Sequence, residues 1–236
     1  MGRNRLPLLV GGTGQYVAAV LEGWQVPRVA PDPSLRARLE AEAERAGAQA
    51  LHERLGSVDP QAADAIMSSN VRRVIRALEV YELTGRPISA QQRKQAPPFQ
   101  ACTLWLTLPS EVLYARIDQR VEAMMAAGLL DEVRSLVELG YSWELPAMSS
   151  LGYREFQPYF AGQATLDEAV QRLKFNTHAF ARRQAAWFRR LPNLTRLAAD
   201  TPDLFHVALR WWETCLRSAD QAQRAGDDTP HRLRQP

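Results

Sequence analysis

The sequence predicts a helix-rich α/β fold: a partial parallel-sheet core interrupted by an all-helical insertion. Three observations predict it. Residues 6–10, Leu-Pro-Leu-Leu-Val, form a short apolar run that stops at a glycine cluster, after which Tyr16, Val17, Val20 and Leu21 fall at helical spacing. Residues 34–92 carry one helical pattern after another with no strand between them. Strand-like composition returns only at residues 102–108 and 193–197.

Each element has a local reason. Residues 6–10 read as a strand, Gly11-Gly12-Thr13-Gly14 as its turn, and the following segment as a helix; Pro27, Pro31 and Pro33 then mark a linker. The insertion holds a helix from Ser34, one around residues 49–55, one from Asp59 with Pro60 in its first turn, and one from Asn70 capped by Gly85 and stopped by Pro87. Pro97-Pro98 closes this block. After the strand at 102–108, Pro109 precedes a helix with Val112, Leu113, Ile117, Val121 and Met124 on its buried side. Thr165-Leu166-Asp167-Glu168 is a capping box, and the helix it opens is expected to be the longest in the chain, with Leu173, Phe180 and Trp187 facing inward until Pro192 ends it. Beyond Arg217 apolar residues are sparse, so the tail is expected to be disordered. The divisions are thus 1–30 (core), 31–98 (insertion), 99–200 (remainder of the core) and 201–236 (a C-terminal helix and tail). Three strands are too few to cover a helix layer on each face, so part of the core is expected upstream.

Composition excludes several classes. Of 236 residues, 46% are hydrophobic and 23% charged, ordinary globular values, and no apolar run approaches the roughly 18 residues of a membrane span. Residues 6–10 are too short for a signal-peptide core, so a soluble, cytoplasmic protein is expected. Cys102 and Cys215 are far apart without a CxxC partner and the four histidines are scattered, so neither a disulfide framework nor a metal site is expected. The net charge of +3 is small, yet between Glu168 and Asp200 there are basic residues and no acidic one, the footprint of a phosphate-bearing partner or of a solvated face.

Four segments carry candidate chemistry. In Val10-Gly11-Gly12-Thr13-Gly14-Gln15-Tyr16, glycines between strand and helix leave backbone N–H groups to face an anion and Thr13 adds a hydroxyl; without a P-loop ending, a plain glycine turn explains it equally. Arg36 is a positive partner for such an anion or a surface arginine. Arg72, Arg73 and Arg76 crowd the first turns of the helix from Asn70, where they oppose the macrodipole, so an external phosphate, Asp64 or a nearby glutamate must neutralise them. On the long helix, Arg172, Arg183 and Arg190 share one stripe beside Trp187, while Arg182 and Arg189 lie opposite the apolar face. There Gln184 suits a base edge, and Trp187 suits either base stacking or core packing. Leu151-Gly152-Tyr153-Arg154 sets an aromatic and an arginine beside a glycine.

Read in order, these blocks, with Arg72-Arg73-Val74-Ile75-Arg76-Ala77-Leu78-Glu79-Val80-Tyr81-Glu82-Leu83-Thr84-Gly85 and Ala181-Arg182-Arg183-Gln184-Ala185-Ala186-Trp187-Phe188-Arg189, resemble the tRNA dimethylallyltransferase (tRNA isopentenyltransferase) family. The resemblance runs from Leu6 to about Leu197. It implies a P-loop-type, nucleotide-binding (ATP-binding) α/β core whose helical insertion grips the anticodon stem-loop. It implies transfer of a dimethylallyl group from dimethylallyl diphosphate to N6 of the adenosine after the anticodon, on a flipped base, with Mg2+ as cofactor. By resemblance Thr13 serves the leaving diphosphate within a loop of Gly11, Gly12 and Gly14. Arg36, Arg72, Arg73, Val74, Ile75, Arg76, Gly152, Tyr153, Arg154, Arg182, Arg183, Gln184, Trp187 and Arg189 match segments that contact tRNA.

The family's P-loop, its Asp-Ser-x-Gln segment with the proton-accepting carboxylate, and its His-His pair precede the glycine-threonine block and have no match here; ligands for Mg2+ are likewise not expected in this chain. The chain is therefore expected to be about two thirds of a monomeric transferase and incomplete for catalysis by itself. Gln15, Asn70-Val71 and His178 depart from the usual leucine, Asp-Pro and arginine. Two other readings are a non-catalytic tRNA-binding remnant and an isopentenyltransferase acting on free adenine nucleotides, which has no use for the insertion.

Overall fold

Two short strands pair in parallel and a helical insertion closes on itself; around these two facts the chain divides into two compact units, residues 1–14 with 100–236 and residues 15–99. The computed structural model describes residues 5–227, with side chains described to residue 218.

The second unit takes up α1 (Gly14–Leu21) from its second residue, follows with β1 (Trp24–Gln25) and continues through α2 (Pro33–Ala46), α3 (Ala48–Val58), α4 (Pro60–Ala65), α5 (Val71–Thr84), α6 (Ile88–Gln91) and β2 (Arg93–Lys94). Local chemistry sets the helix ends. The Asp32 carboxylate accepts from the Ser34 and Leu35 amides, Asp59 caps α4 through the Ala62 amide, Asn70 caps α5 through the Arg73 amide, and Gly85 ends α5 in the left-handed region. Leu35, Leu39, Leu51, Leu55, Val74 and Leu78 are buried together as the core. β1 and β2 pair antiparallel, Trp24 opposite Lys94 and Gln25 opposite Arg93, so the entry and exit of the insertion are tied at one place. This ladder was not legible in the sequence. Gly23 is required beside it: its φ is +59° and a Cβ there would strike the Gln95 carbonyl. Lys94 pairs with Glu22 and lies over the Trp24 ring.

In the first unit, β3 (Thr103–Thr107) and β4 (Leu194–Ala198) form the parallel pair, Thr103 opposite Leu194 through Thr107 opposite Ala198. A parallel pair needs a crossover, and here it runs through α7 (Ser110–Ala126), α8 (Leu129–Glu138), a 3-10 turn (Arg154–Phe156), α9 (Gln157–Phe160) and α10 (Leu166–Phe188). The capping box forms at Thr165 and Glu168 as its sequence predicts. Val121, Leu129, Val133, Phe156, Ala169 and Leu173 make the core. α11 (Leu204–Asp227) completes the described chain.

The structure corrects several expectations. Residues 6–10 are not a strand: they run as irregular backbone with Leu6, Leu8, Leu9 and Val10 exposed, because an apolar run becomes a strand only where a neighbour accepts its ladder hydrogen bonds. The α7 stripe is not fully covered. Two strands are too narrow to roof both α7 and α10, so Leu113, Ile117 and Val121 line a cavity of about 790 Å3 together with Thr177, Phe180 and Phe188. Helix α11 has 24 residues and α10 has 23, so α10 is not the longest, and the helix passes the expected break at Arg217. The expected disorder of residues 228–236 lies outside the described residues. Cys102 and Cys215 form a disulfide with Cα atoms 6.1 Å apart, a pairing that a separation of 113 residues hides from sequence reading. No described helix is long and apolar enough to cross a membrane.

Candidate functional site

In the first unit the glycine-threonine segment and the arginine-bearing helix meet. The Gln184 side-chain amide donates to the Gly12 carbonyl at 2.9 Å. One turn along α10, Trp187 lies against Gly14, where an added Cβ would come within 2.7 Å of the Trp187 Cβ. Gly14 is thus needed for close approach of the helix, whereas an added Cβ at Gly12 would meet only the flexible amide end of Gln184 and Gly11 has open space around it. Thr13, between them, is exposed and directly precedes α1. Trp187 as a residue remains 40% exposed, so packing on Gly14 covers only part of it.

The arginines of α10 stay outside this contact. Arg182, Arg183 and Arg189 are exposed; Arg182 reaches the Tyr114 hydroxyl at 3.4 Å and Arg183 sits 5.9 Å from the Phe180 ring centroid. None of the three is in an ion pair with an acidic residue among the described residues. His178, where the resemblance expects arginine, instead pairs with Asp118 of α7, Nε2 to Oδ1 2.8 Å, and stacks on Tyr114.

The segment Leu151-Gly152-Tyr153-Arg154 is organised by a residue that sequence reasoning missed. Glu155 is buried, and its carboxylate accepts from the Gly152 amide at 2.9 Å, from Arg154 Nε at 2.8 Å and from the Asn176 side chain of α10 at 2.9 Å. Gly152 has a φ of +107°, which favours glycine. The Tyr153 hydroxyl donates to Glu132, which raises its pKa. Arg154 remains half exposed.

In the second unit, Arg36 and Arg76 converge on Glu79, a fully buried carboxylate on α5. Arg36 donates through Nε and Nη2 at 2.8 and 2.9 Å, Arg76 through Nη1 at 2.5 Å, and the Asp32 amide adds a fourth bond at 2.9 Å. Arg76 also donates to the Val29 carbonyl. Burial pushes the Glu79 carboxyl up, but these donors together outweigh it and bring the pKa down to about 2. The nearby glutamate, and not Asp64, is therefore what answers Arg76. Arg72 and Arg73 point to solvent and are in no ion pair among the described residues. The Val74 and Ile75 side chains are buried, because they fall on the apolar stripe of α5 and fill the core. The signal for Glu79 was present as an acidic residue between Leu78 and Val80 on that stripe.

The family model for IPP transferase matches residues 1–191. The chain belongs to the IPP transferase family. It is 68% identical over 206 residues to the tRNA dimethylallyltransferase of Roseiflexus castenholzii, covering 87% of this chain and 67% of that protein. It is 66% identical over 213 residues to the tRNA dimethylallyltransferase of Roseiflexus sp., covering 89% and 70%. Among solved structures, the full-length tRNA isopentenylpyrophosphate transferase of Bacillus halodurans matches with a TM-score of 0.62 at 36% identity, over 94% of this chain and 71% of that one. All four sequence blocks of this IPP transferase chain lie within the matched span.

Two outcomes are expected. Gly14→Ala should force Trp187 aside, lowering stability by about 1–3 kcal/mol and shifting tryptophan emission; an unchanged denaturation midpoint and spectrum would contradict the contact. The Glu79 pKa of about 2 lies below its ordinary 4.5, so its stabilisation is present above the ordinary value and is lost as pH falls toward 2. Denaturation between pH 5 and pH 2 should show this loss, and Glu79→Gln should flatten it.

Proposed function

We propose that this chain serves transfer of a dimethylallyl group from dimethylallyl diphosphate to N6 of the adenosine that follows the anticodon in tRNA. The observation that carries the reading is the contact of the glycine-threonine segment with α10, in which Gln184 and Trp187 hold Gly12 and Gly14. A segment that offers backbone amides and a hydroxyl to an anion is thereby seated on the helix that bears Arg182, Arg183 and Arg189. The loop fits a diphosphate and the arginines fit RNA phosphates.

In this reading the allylic C–O bond breaks and the N6–C bond forms, diphosphate departs as the anion, and the N6 proton passes to a base. Charge builds on the bridging oxygen as the allylic carbon leaves, so the exposed Thr13 hydroxyl stabilises the transition state more than the bound substrate. Among the described residues no three acidic, histidine or cysteine side chains converge as metal ligands. Arg36, Arg72, Arg73 and Arg76 of the helical unit, and Gly152, Tyr153 and Arg154 of the first, are assigned to the stem-loop. A cytoplasmic monomer is the matching setting.

Binding to an anticodon stem-loop RNA should weaken with salt by roughly 0.7 to 0.9 log units of slope per phosphate contact. Arg72→Ala with Arg73→Ala, both exposed and outside the core, should flatten that slope by about one to two units at an unchanged thermal midpoint. An unaltered slope would make them solvated surface. In an enzyme that turns over and carries this segment, Thr13→Ala should lower kcat by about 10² to 10³ with RNA affinity nearly constant, and Thr13→Ser should recover much of it. A fully active Thr13→Ala enzyme would remove Thr13 from the reaction.

A further inference from the structure

Glu79 is held by more positive charge than its burial requires. One arginine neutralises one carboxylate, yet two guanidinium groups, from α2 and from α5, sit on the same buried group and leave the cluster with net positive charge. Two like charges side by side repel, so neutralising Glu79 does not account for the second. Glu40, one turn along α2, also acts on Arg36 through space, but among the described residues the two form no ion pair. Asp32 is engaged as the α2 cap and turns its amide, not its carboxylate, to Glu79.

The donor count points outward. A guanidinium carries five N–H donors in a rigid fork. Arg36 uses Nε and one Nη2 hydrogen on Glu79, and Arg76 uses one hydrogen on Glu79 and one on the Val29 carbonyl, so more than half of each fork is unspent. Glu79 itself is 0% exposed while the two arginine side chains are 37% and 33% exposed, so solvent reaches the arginines and not the carboxylate.

We infer that Glu79 is a positioning residue for RNA: from the buried side it fixes two arginines on different helices so that their remaining donors form one preset site for a phosphate of the stem-loop. The inference rests on the RNA reading above and adds to it the residue that sets the geometry. The ordering of two long side chains is then completed on folding, before RNA arrives, which is where preorganisation gains affinity. A lysine at either place would keep the charge and lose the fork.

The sign of one substitution separates positioning from charge. Glu79→Gln keeps the shape and removes a negative charge beside an RNA-binding surface, so charge alone predicts tighter binding and a steeper salt dependence. Positioning predicts the opposite, an affinity for a labelled anticodon stem-loop lower by about tenfold at fixed salt, with Arg36→Lys and Arg76→Lys each lowering it by about as much at unchanged slope. Thermal midpoints are taken on all variants; should Glu79→Gln not fold, the two lysine variants, altered only at partly exposed side chains, carry the test. Equal or tighter binding by Glu79→Gln, or wild-type affinity in both lysine variants, overturns the inference and leaves the RNA reading standing. A wild-type chain that does not bind the stem-loop at all overturns both.

Discussion

A carboxylate removed from water must find its charge and its hydrogen bonds within the protein, and this constraint organises each unit of the chain. Glu79 and Glu155 are both fully buried, and each is surrounded by donors from separate parts of its unit. Around Glu79 they come from α2, α5 and the turn at Asp32; around Glu155 they come from the Gly152 amide, Arg154 and α10. Removing one partner of such a set leaves a buried charge uncompensated, which typically costs about 3–5 kcal/mol. The arginines and the glycine backbone of the candidate RNA surface are therefore anchored by the same groups that hold the helices together, so folding and presentation are coupled.

The helical unit is closed by a device of a different kind. Its entry and exit strands, Trp24–Gln25 and Arg93–Lys94, make only a two-residue ladder, reinforced by the Glu22–Lys94 ion pair and the Lys94–Trp24 contact. With both ends fixed at one place, the insertion packs its own core of leucines and valines. Within α5 the division of labour follows the helical period: Val74, Ile75 and Leu78 face inward while Arg72 and Arg73 face solvent, so one element serves packing and binding with different faces.

The first unit divides α10 lengthwise. Its N-terminal half buries Ala169 and Leu173 against Val121 and Phe156, and its C-terminal half borders the open cavity and carries the Gln184 and Trp187 contacts to the glycine segment. Small residues decide the outcome at that end. Gly14 lets the segment lie against the root of Trp187, where a larger residue would hold it off, and Thr13 stands exposed just before α1.

What the sequence determined by itself is whatever depends on neighbours within a few residues. The capping box at Thr165, the caps at Asp59, Asn70 and Gly85, the helical succession of residues 34–92 and the β3 and β4 segments were all legible, because helix and strand signals are local. The family was legible in four ordered blocks, and the IPP transferase family model matches residues 1–191, which hold all four. Only the tertiary structure decided which charges are paired and which apolar faces are covered. Arg36 and Arg76 look like Arg72 and Arg73 in the sequence, yet the first two meet Glu79 and the latter two meet water. Residues 6–10 have strand composition and no strand partner among the described residues, and Cys102 and Cys215 are neighbours only after 113 residues of chain have folded back. The physical reason is common to all three: pairing, burial and ladder hydrogen bonds are contacts between distant segments, and their energies are set by which partner arrives, not by the residue alone.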